Sequence, residues 1–173
     1  LPVCAVSDPG LSHSAASLVY CTEPDRVLYS SEAGKKVYPA ALTKLMTVVL
    51  AAESIESGKM TADQLITASA SAVSAAEGNN ISIKIGEELK FRDLVGATIL
   101  AGANDAALVI AEAVSGSVPE FVRLMNQRAE QLGMKDTVYT NPTGLHDGEM
   151  VTTANDLLIL AKLAVTKQFL SDL

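Results

Sequence analysis

The segment at residues 42–57 restricts the fold more than any other part of this sequence. It is apolar almost without interruption until Glu53, and Gly58 follows it. The segment is too long for an ordinary strand, and glycine commonly ends a helix. We expect a helix that is buried on most of its surface, so the rest of the chain must pack around it.

Composition places the chain among ordinary globular proteins. It has 173 residues, of which 49% are apolar, enough for one domain or most of a larger one. No apolar run reaches the roughly 18 residues of a membrane span. The net charge is −7, and the longest basic run is Lys35 and Lys36. A nucleic-acid partner is therefore not expected.

Short strands and several helices follow from the hydrophobic pattern. Residues 17–22 and 27–30 are β-type runs around a Pro-containing turn at 23–26, which predicts a hairpin. Further helices are predicted at 91–101, 104–114, 118–132 and 153–165. Two of them begin with capping boxes, formed by Ser117 with Glu120 and by Thr153 with Asp156.

The order of these elements predicts the fold class. Two more β-like pieces lie at 65–67 and 81–83, strands come before most helices, and no β-α-β alternation or internal repeat occurs. This pattern is typical of an α+β fold in which an antiparallel sheet packs on a helical cluster. Since a two-stranded sheet is marginal alone, we expect additional strands.

Lys44 is the unusual residue of the long apolar segment. Burial near the positive end of a helix dipole favours the neutral amine, which is suited to act as a general base. Position 41 lies three residues earlier, on the same helix face, and is occupied by Ala41. The alternative is that Lys44 extends from the helix end to water, as lysines often do.

Three separated segments carry a resemblance. Residues 39–47 read PAALTKLMT, 101–107 read AGANDAA and 141–147 read NPTGLHD. In this order they resemble the penicillin-binding D-alanyl-D-alanine carboxypeptidases, from about residue 16 to the C-terminus. Residues 1–15 are then a lead segment and 16–173 the catalytic-domain portion. The resemblance implies a β-lactamase/transpeptidase-like fold.

The resemblance also implies roles for four positions. Enzymes with an S-x-x-K motif form an acyl-enzyme through the serine, with the lysine as its base and an S-x-N element assisting. Ala41 stands at the nucleophile position and Lys44 at the general base. Gly102 stands where the second hydroxyl is expected, and Asn104 matches the substrate-binding asparagine.

Structural interpretations compete with some of these roles. Asn104 is well placed to be the N-cap of the helix that follows it. Residues 141–144 are more typical of a turn than of a catalytic element. We expect His146 to be a hydrogen-bonding scaffold residue, since the mechanism already has a base.

The family's K-T-G strand, which binds the substrate carboxylate, has no counterpart in this sequence. We therefore expect the chain to be the N-terminal portion of a larger catalytic domain. It begins at Leu1 instead of Met, which favours an exported protein whose targeting segment has been removed. Any membrane attachment would then use segments outside this chain.

Two hypotheses for function remain. The chain could derive from a serine-type carboxypeptidase that trims peptidoglycan stem peptides ending in D-Ala-D-Ala, inactivated by an introduced alanine at position 41. It could instead be a natural pseudoenzyme that binds such a peptide or a protein partner, which the second missing hydroxyl at Gly102 favours. A class A β-lactamase is disfavoured, because no glutamate-bearing loop is found near Asn141.

The remaining expectations concern ligands and cysteines. β-Lactams are ligands that the resemblance implies, and no cofactor is expected. No metal site is expected, because His13 and His146 have no companion at ligand spacing. Cys4 and Cys21 could form a disulfide in an oxidising compartment or remain as thiols, and the sequence does not decide between the two.

Overall fold

The computed structural model describes residues 14–173. Cys4, and with it a Cys4–Cys21 disulfide, lies outside the described residues, as does most of the 1–15 lead segment. The strands are β1 (Ser17–Cys21), β2 (Arg26–Ser31), β3 (Leu65–Thr67) and β4 (Glu88–Lys90). The helices are α1 (Thr43–Glu56), α2 (Ala70–Ser74), α3 (Phe91–Leu100), α4 (Asn104–Ser115), α5 (Val118–Leu132), α6 (Ala154–Ala164) and α7 (Gln168–Ser171).

Helix α1 is the centre of the molecule, as predicted from its composition. Ten of its 14 residues are buried. It packs against α3, α4, α5, α6 and α7. A helix enclosed in this way can be apolar on every face, because no face needs to meet water.

The predicted hairpin is present, formed by β1 and β2. The two strands pair antiparallel from Ser17 opposite Ser31 to Cys21 opposite Arg26, with a bulge between Val19 and Tyr20. β1 contacts α6, so the hairpin covers one side of the helical cluster. This arrangement confirms the α+β class.

The second sheet differs in part from the prediction. β3 pairs antiparallel with β4 at Glu88–Lys90. The β-like piece at 81–83 was wrongly predicted as a strand: Ser82 has a positive φ of +65°, and the amides of Ile81 and Ile83 bond a carboxylate of α4, described below. The short helix α2, capped by the Ser69 side chain, was not predicted from the sequence.

The N-caps predicted for α5 and α6 are confirmed, but the capping boxes are only half formed: the Glu120 carboxylate bonds Arg123 and the Asp156 carboxylate bonds Thr137 instead of the N-cap amides. The Ser117 side chain accepts a hydrogen bond from Glu120 N at the start of α5, and Gly133 ends that helix in the left-handed conformation. The Thr153 side chain accepts from Asp156 N at 3.1 Å and starts α6. These local signals are strong because each satisfies an N–H group that the helix itself cannot pair.

Candidate active site

The site begins where a short 3₁₀ turn leads into α1. The turn spans Ala40–Leu42, and Ala41 within it is exposed. Lys44, the second residue of α1, has only 5% of its surface exposed. Lys44 Nζ donates a hydrogen bond to Thr143 O at 2.6 Å. The alternative in which Lys44 extends to water is therefore wrong.

Burial changes the protonation of Lys44. Removal from water disfavours the ammonium form, and the pKa of Lys44 is lowered from its ordinary value. This agrees with the sequence-based expectation of an amine that can accept a proton. The group that would supply that proton is missing, since Ala41 carries only a methyl group.

The turn at 141–145 has the structural role predicted for it. Asn141 Oδ1 accepts hydrogen bonds from Thr143 N at 3.1 Å and from Gly144 N at 2.8 Å. Its Nδ2 donates to Leu145 O at 3.0 Å. This side chain shapes the turn so that Thr143 O can receive the Lys44 amine. The turn therefore fixes the position of the lysine.

A second bond and a close backbone approach join this turn to the start of α1. Thr47 Oγ1 donates to Pro142 O at 2.7 Å. Gly144 has φ +82°, and a Cβ placed on it would lie 1.9 Å from Ala40 O. Only glycine fits here. The sequence marked a turn but contained no signal for its contact with residue 40.

Asn104 does not cap α4, which corrects one sequence-based interpretation. The N-cap is Ala103, and Asn104 is the first residue of the helix. Its Nδ2 donates to Glu77 O at 2.6 Å. Its Oδ1 is buried and has no hydrogen-bond partner in the described part of the chain. An unpaired buried acceptor is costly, so this oxygen is the part of the Asn104 amide that is free to accept a further hydrogen bond.

Gly102 lies in the connection between α3 and α4. Its φ is +69°, and a Cβ on it would lie 3.2 Å from Asn79 Nδ2. Asn79 Nδ2 donates to Ala101 O at 2.5 Å. The position assigned to the second hydroxyl is thus a left-handed glycine beside an asparagine amide. α1 packs against both α3 and α4.

Asp105 is a residue that the sequence reasoning missed. It is 2% exposed, and its carboxylate accepts hydrogen bonds from Ile81 N at 3.2 Å and Ile83 N at 3.0 Å. Asp105 N in turn donates to Asn80 Oδ1 at 3.1 Å. These contacts hold the loop 77–83 against the start of α4, and they give the amides of Ile81 and Ile83 a partner other than a neighbouring strand. The two adjacent polar residues Asn104 and Asp105 were the feature of the sequence that could have identified Asp105.

His146 is exposed and stacks on Tyr38. The two rings meet edge to face, with centroids 4.8 Å apart. The hydrogen bond expected of His146 is not found among the residues described, and ring packing takes its place. Both rings border a small, open cleft beside the 3₁₀ turn that contains position 41. The cleft is lined by Tyr38, Pro39, Ala40, Gly144, Leu145, His146, Asp147 and Met150.

Metal-binding clusters and membrane-spanning helices are both absent from residues 14–173. Within this range no cluster of three or more His, Cys, Asp or Glu side chains is arranged to hold a metal ion. None of the helices in the same range has the length and apolar character needed to cross a bilayer.

Comparison with known families gives one match over nearly the whole chain. The sequence model described as D-alanyl-D-alanine carboxypeptidase matches residues 3–172. The D-alanyl-D-alanine carboxypeptidase DacF of Bacillus subtilis is 36% identical over 153 residues, which are 88% of this chain and 39% of DacF. The chain thus spans well under half the length of this relative.

Solved structures share the fold. The D-alanyl-D-alanine carboxypeptidase DacD of Francisella tularensis aligns with a TM-score of 0.85 at 30% identity, over 94% of this chain and 38% of that one. Penicillin-binding protein D2 of Listeria monocytogenes, solved with ampicillin bound, aligns with a TM-score of 0.79 at 30% identity. That alignment covers 92% of this chain and 65% of the Listeria chain.

Proposed function

The chain belongs to the D-alanyl-D-alanine carboxypeptidase family, and from this premise we propose that it carries the family's site in a form that binds without acylation. The proposed ligand is a peptidoglycan stem peptide ending in D-Ala-D-Ala. In this proposal Lys44 is the retained base and Asn104 the substrate-binding amide. Ala41 and Gly102 stand at the two positions where the mechanism needs a hydroxyl group, and neither residue has one.

One observation supports this proposal above the others: Ala41 lies three residues before a buried lysine whose only role in the mechanism is to handle a proton. Acyl transfer needs an oxygen that attacks the carbonyl carbon, and a methyl group supplies none. In a serine protease, loss of the nucleophile alone costs a factor on the order of 10⁶ in kcat. Binding groups can survive that loss, because they do not depend on the nucleophile.

Two origins of the inactive site remain as alternatives. An introduced alanine at position 41 would turn an active carboxypeptidase into an inert form that still binds substrate. A natural pseudoenzyme would bind a peptidoglycan peptide or a protein partner as its function. The left-handed glycine at position 102 favours the natural alternative, because one substitution is enough to stop acylation and a second hydroxyl is missing as well.

Location and further ligands follow from the same proposal. Peptidoglycan lies outside the cytoplasmic membrane, so we propose that the protein acts after export, in the cell envelope or outside the cell. β-Lactams are proposed as non-covalent ligands, because the Listeria relative was solved with ampicillin bound.

Mass spectrometry of the intact protein tests the chemical part of the proposal. The protein, at its full natural length, is incubated with ampicillin, and its mass is compared with that of an untreated sample. We expect no covalent adduct, because the site lacks a nucleophilic oxygen. A heat-denatured sample controls for non-specific acylation of surface lysines. A stoichiometric adduct on the folded protein would contradict the proposal.

Thermal unfolding tests the binding part. A ligand that binds only the folded protein raises its Tm. We expect a stem peptide ending in D-Ala-D-Ala to raise the Tm, and the same peptide ending in L-Ala-L-Ala to have no effect. Equal shifts in Tm with both peptides would argue that the site does not recognise the D-Ala-D-Ala end.

A further inference from the structure

The site at Gly102 differs by more than one missing hydroxyl, because a neighbouring side chain lies close to this position. A Cβ built on Gly102 would lie 3.2 Å from Asn79 Nδ2, and φ at this position is +69°. This distance is shorter than an ordinary contact between a carbon and a nitrogen atom. The Asn79 amide nitrogen therefore lies beside the place where a serine side chain would begin.

Asn79 is held in that place by bonds on both sides of Gly102. Its Nδ2 donates to Ala101 O at 2.5 Å. Its backbone O accepts a hydrogen bond from Asn104 N at 2.7 Å. The residue is exposed, so the remaining N–H and the Oδ1 of its carboxamide can meet a ligand. Asn79 is thus fixed through its backbone oxygen and one side-chain N–H, while its Oδ1 and second N–H stay available.

A second polar group on the same wall lacks a partner. Asn104 is 4% exposed, and no described residue donates to its Oδ1. Its Nδ2 donates to Glu77 O, so Oδ1 is the part of the amide that remains for another partner. Buried acceptors of this kind are normally satisfied, and this one is available to a donor on a ligand.

We propose that the Asn79 carboxamide takes the place of the hydroxyl missing at position 102 and is a specificity-determining residue of this site. It offers one donor and one acceptor, which suits the amide groups of a peptide, and it cannot relay a proton. This proposal rests on the proposed function, since it describes the same wall of the same site. A serine returned to position 102 would compete with Asn79 for space instead of completing the site.

A double-mutant cycle on thermal stability tests this competition. The Tm is measured for the full-length protein, for Gly102→Ser, for Asn79→Ala and for the two changes combined. We expect Gly102→Ser to lower the Tm in both backgrounds, because a serine at positive φ is strained. The loss should be smaller by about 2 °C or more when Asn79→Ala has removed the neighbouring amide.

Gly116 provides the matched control at the other end of α4. It also has a positive φ, +85°, but a Cβ there would meet nothing within 4 Å. Gly116→Ser should therefore cost the same Tm with and without Asn79→Ala. If Gly102→Ser behaves in the same additive way, Asn79 does not occupy the place of the hydroxyl and the proposal is wrong.

A second readout uses the chemistry of the site. In an Ala41→Ser background, covalent labelling by ampicillin is compared for Gly102→Ser with and without Asn79→Ala. We expect at least tenfold faster labelling when Asn79→Ala is present, and labelling at the same rate would contradict the proposal. Failure of the proposed function is a separate result: it would appear as labelling of the unmodified protein, while the stability cycle still tests Asn79.

Discussion

At the scale of single residues, Lys44 combines a chemical and a structural role. The sequence identified it as a cation inside an apolar helix and left open whether it is buried or extends to water; the structure shows that it is buried. Its partner, Thr143 O, lies 99 positions away in the chain and could not be predicted from the local pattern. The structure therefore adds a reason to keep Lys44 that does not depend on catalysis.

Replacement of Lys44 separates these roles. We expect Lys44→Met to lower the free energy of unfolding by about 1–2 kcal/mol, because Thr143 O loses its donor and stays buried. Urea denaturation measures the change, and the exposed Lys59→Met is the matched control, with little expected effect. A clear gain in stability would show instead that the lysine is only a remnant of lost chemistry.

The pH dependence of stability gives a second test at this residue. Burial lowers the pKa of Lys44 below 10.5 in the folded protein. Between that lowered value and 10.5, the unfolded chain binds more protons at this residue than the folded chain does, so stability rises with pH. The stability advantage of the native protein over Lys44→Met should therefore grow as the pH approaches 10.5. An advantage that is constant with pH would contradict the lowered pKa.

At the scale of elements, the turn 141–145 and the start of α1 form one unit. The turn was predicted from its Asn-Pro and Gly residues. Its contact with Ala40 was not, because close approach of two backbones leaves no mark in the sequence other than a glycine. Gly144 is that glycine, and its replacement tests the unit.

We expect Gly144→Ala to lower the free energy of unfolding by roughly 3 kcal/mol or more, since the new Cβ would overlap Ala40 O at a positive φ. Gly148→Ala is the control, because a Cβ on Gly148 meets nothing within 4 Å. Urea denaturation compares the two variants. Similar small losses in both would mean that the turn can move away from α1.

The loop 77–83 shows where pattern reading failed. Alternation at 81–83 resembled a strand, but the amides of Ile81 and Ile83 bind the Asp105 carboxylate. A buried carboxylate can accept hydrogen bonds from backbone amides as a neighbouring strand does, and no short-range pattern distinguishes the two. By contrast, the boundaries of α5 and α6 were predicted well, because their caps are local.

Asp105→Asn tests this anchor. An asparagine keeps one acceptor oxygen, so one of the two amides loses its partner. We expect faster hydrogen exchange at Ile81 or Ile83 N–H, by at least about tenfold, measured by NMR. Asp93→Asn, an exposed residue in the first turn of α3, is the control. Unchanged exchange at both amides would contradict the proposed anchoring of the loop.

At the scale of the whole molecule, the fold follows from one helix. An apolar α1 requires cover on every side, and helices α3 to α7 provide it. The sequence predicted the α+β class and the central helix, because both depend on composition and element order. It did not predict the pairing of β3 with β4, because that pairing depends on how the segment between the two strands folds back.

The proposed loss of activity is compatible with a stable fold. The parts that hold the site, namely α1, the turn 141–145 and the start of α4, are also parts of the core. They can persist without catalysis, because each contributes to packing or buried hydrogen bonds. In the proposed function, hydroxyl groups at positions 41 and 102 would serve the chemistry alone, and Ala41 and Gly102 supply neither.

The most direct test is the release of D-alanine from a peptide ending in D-Ala-D-Ala by the full-length protein. The Bacillus subtilis relative DacF serves as the positive control in the same assay. Our account predicts release no faster than in buffer, because no oxygen is present at position 41 to form the acyl-enzyme. Turnover at a rate comparable to that of the control would contradict it.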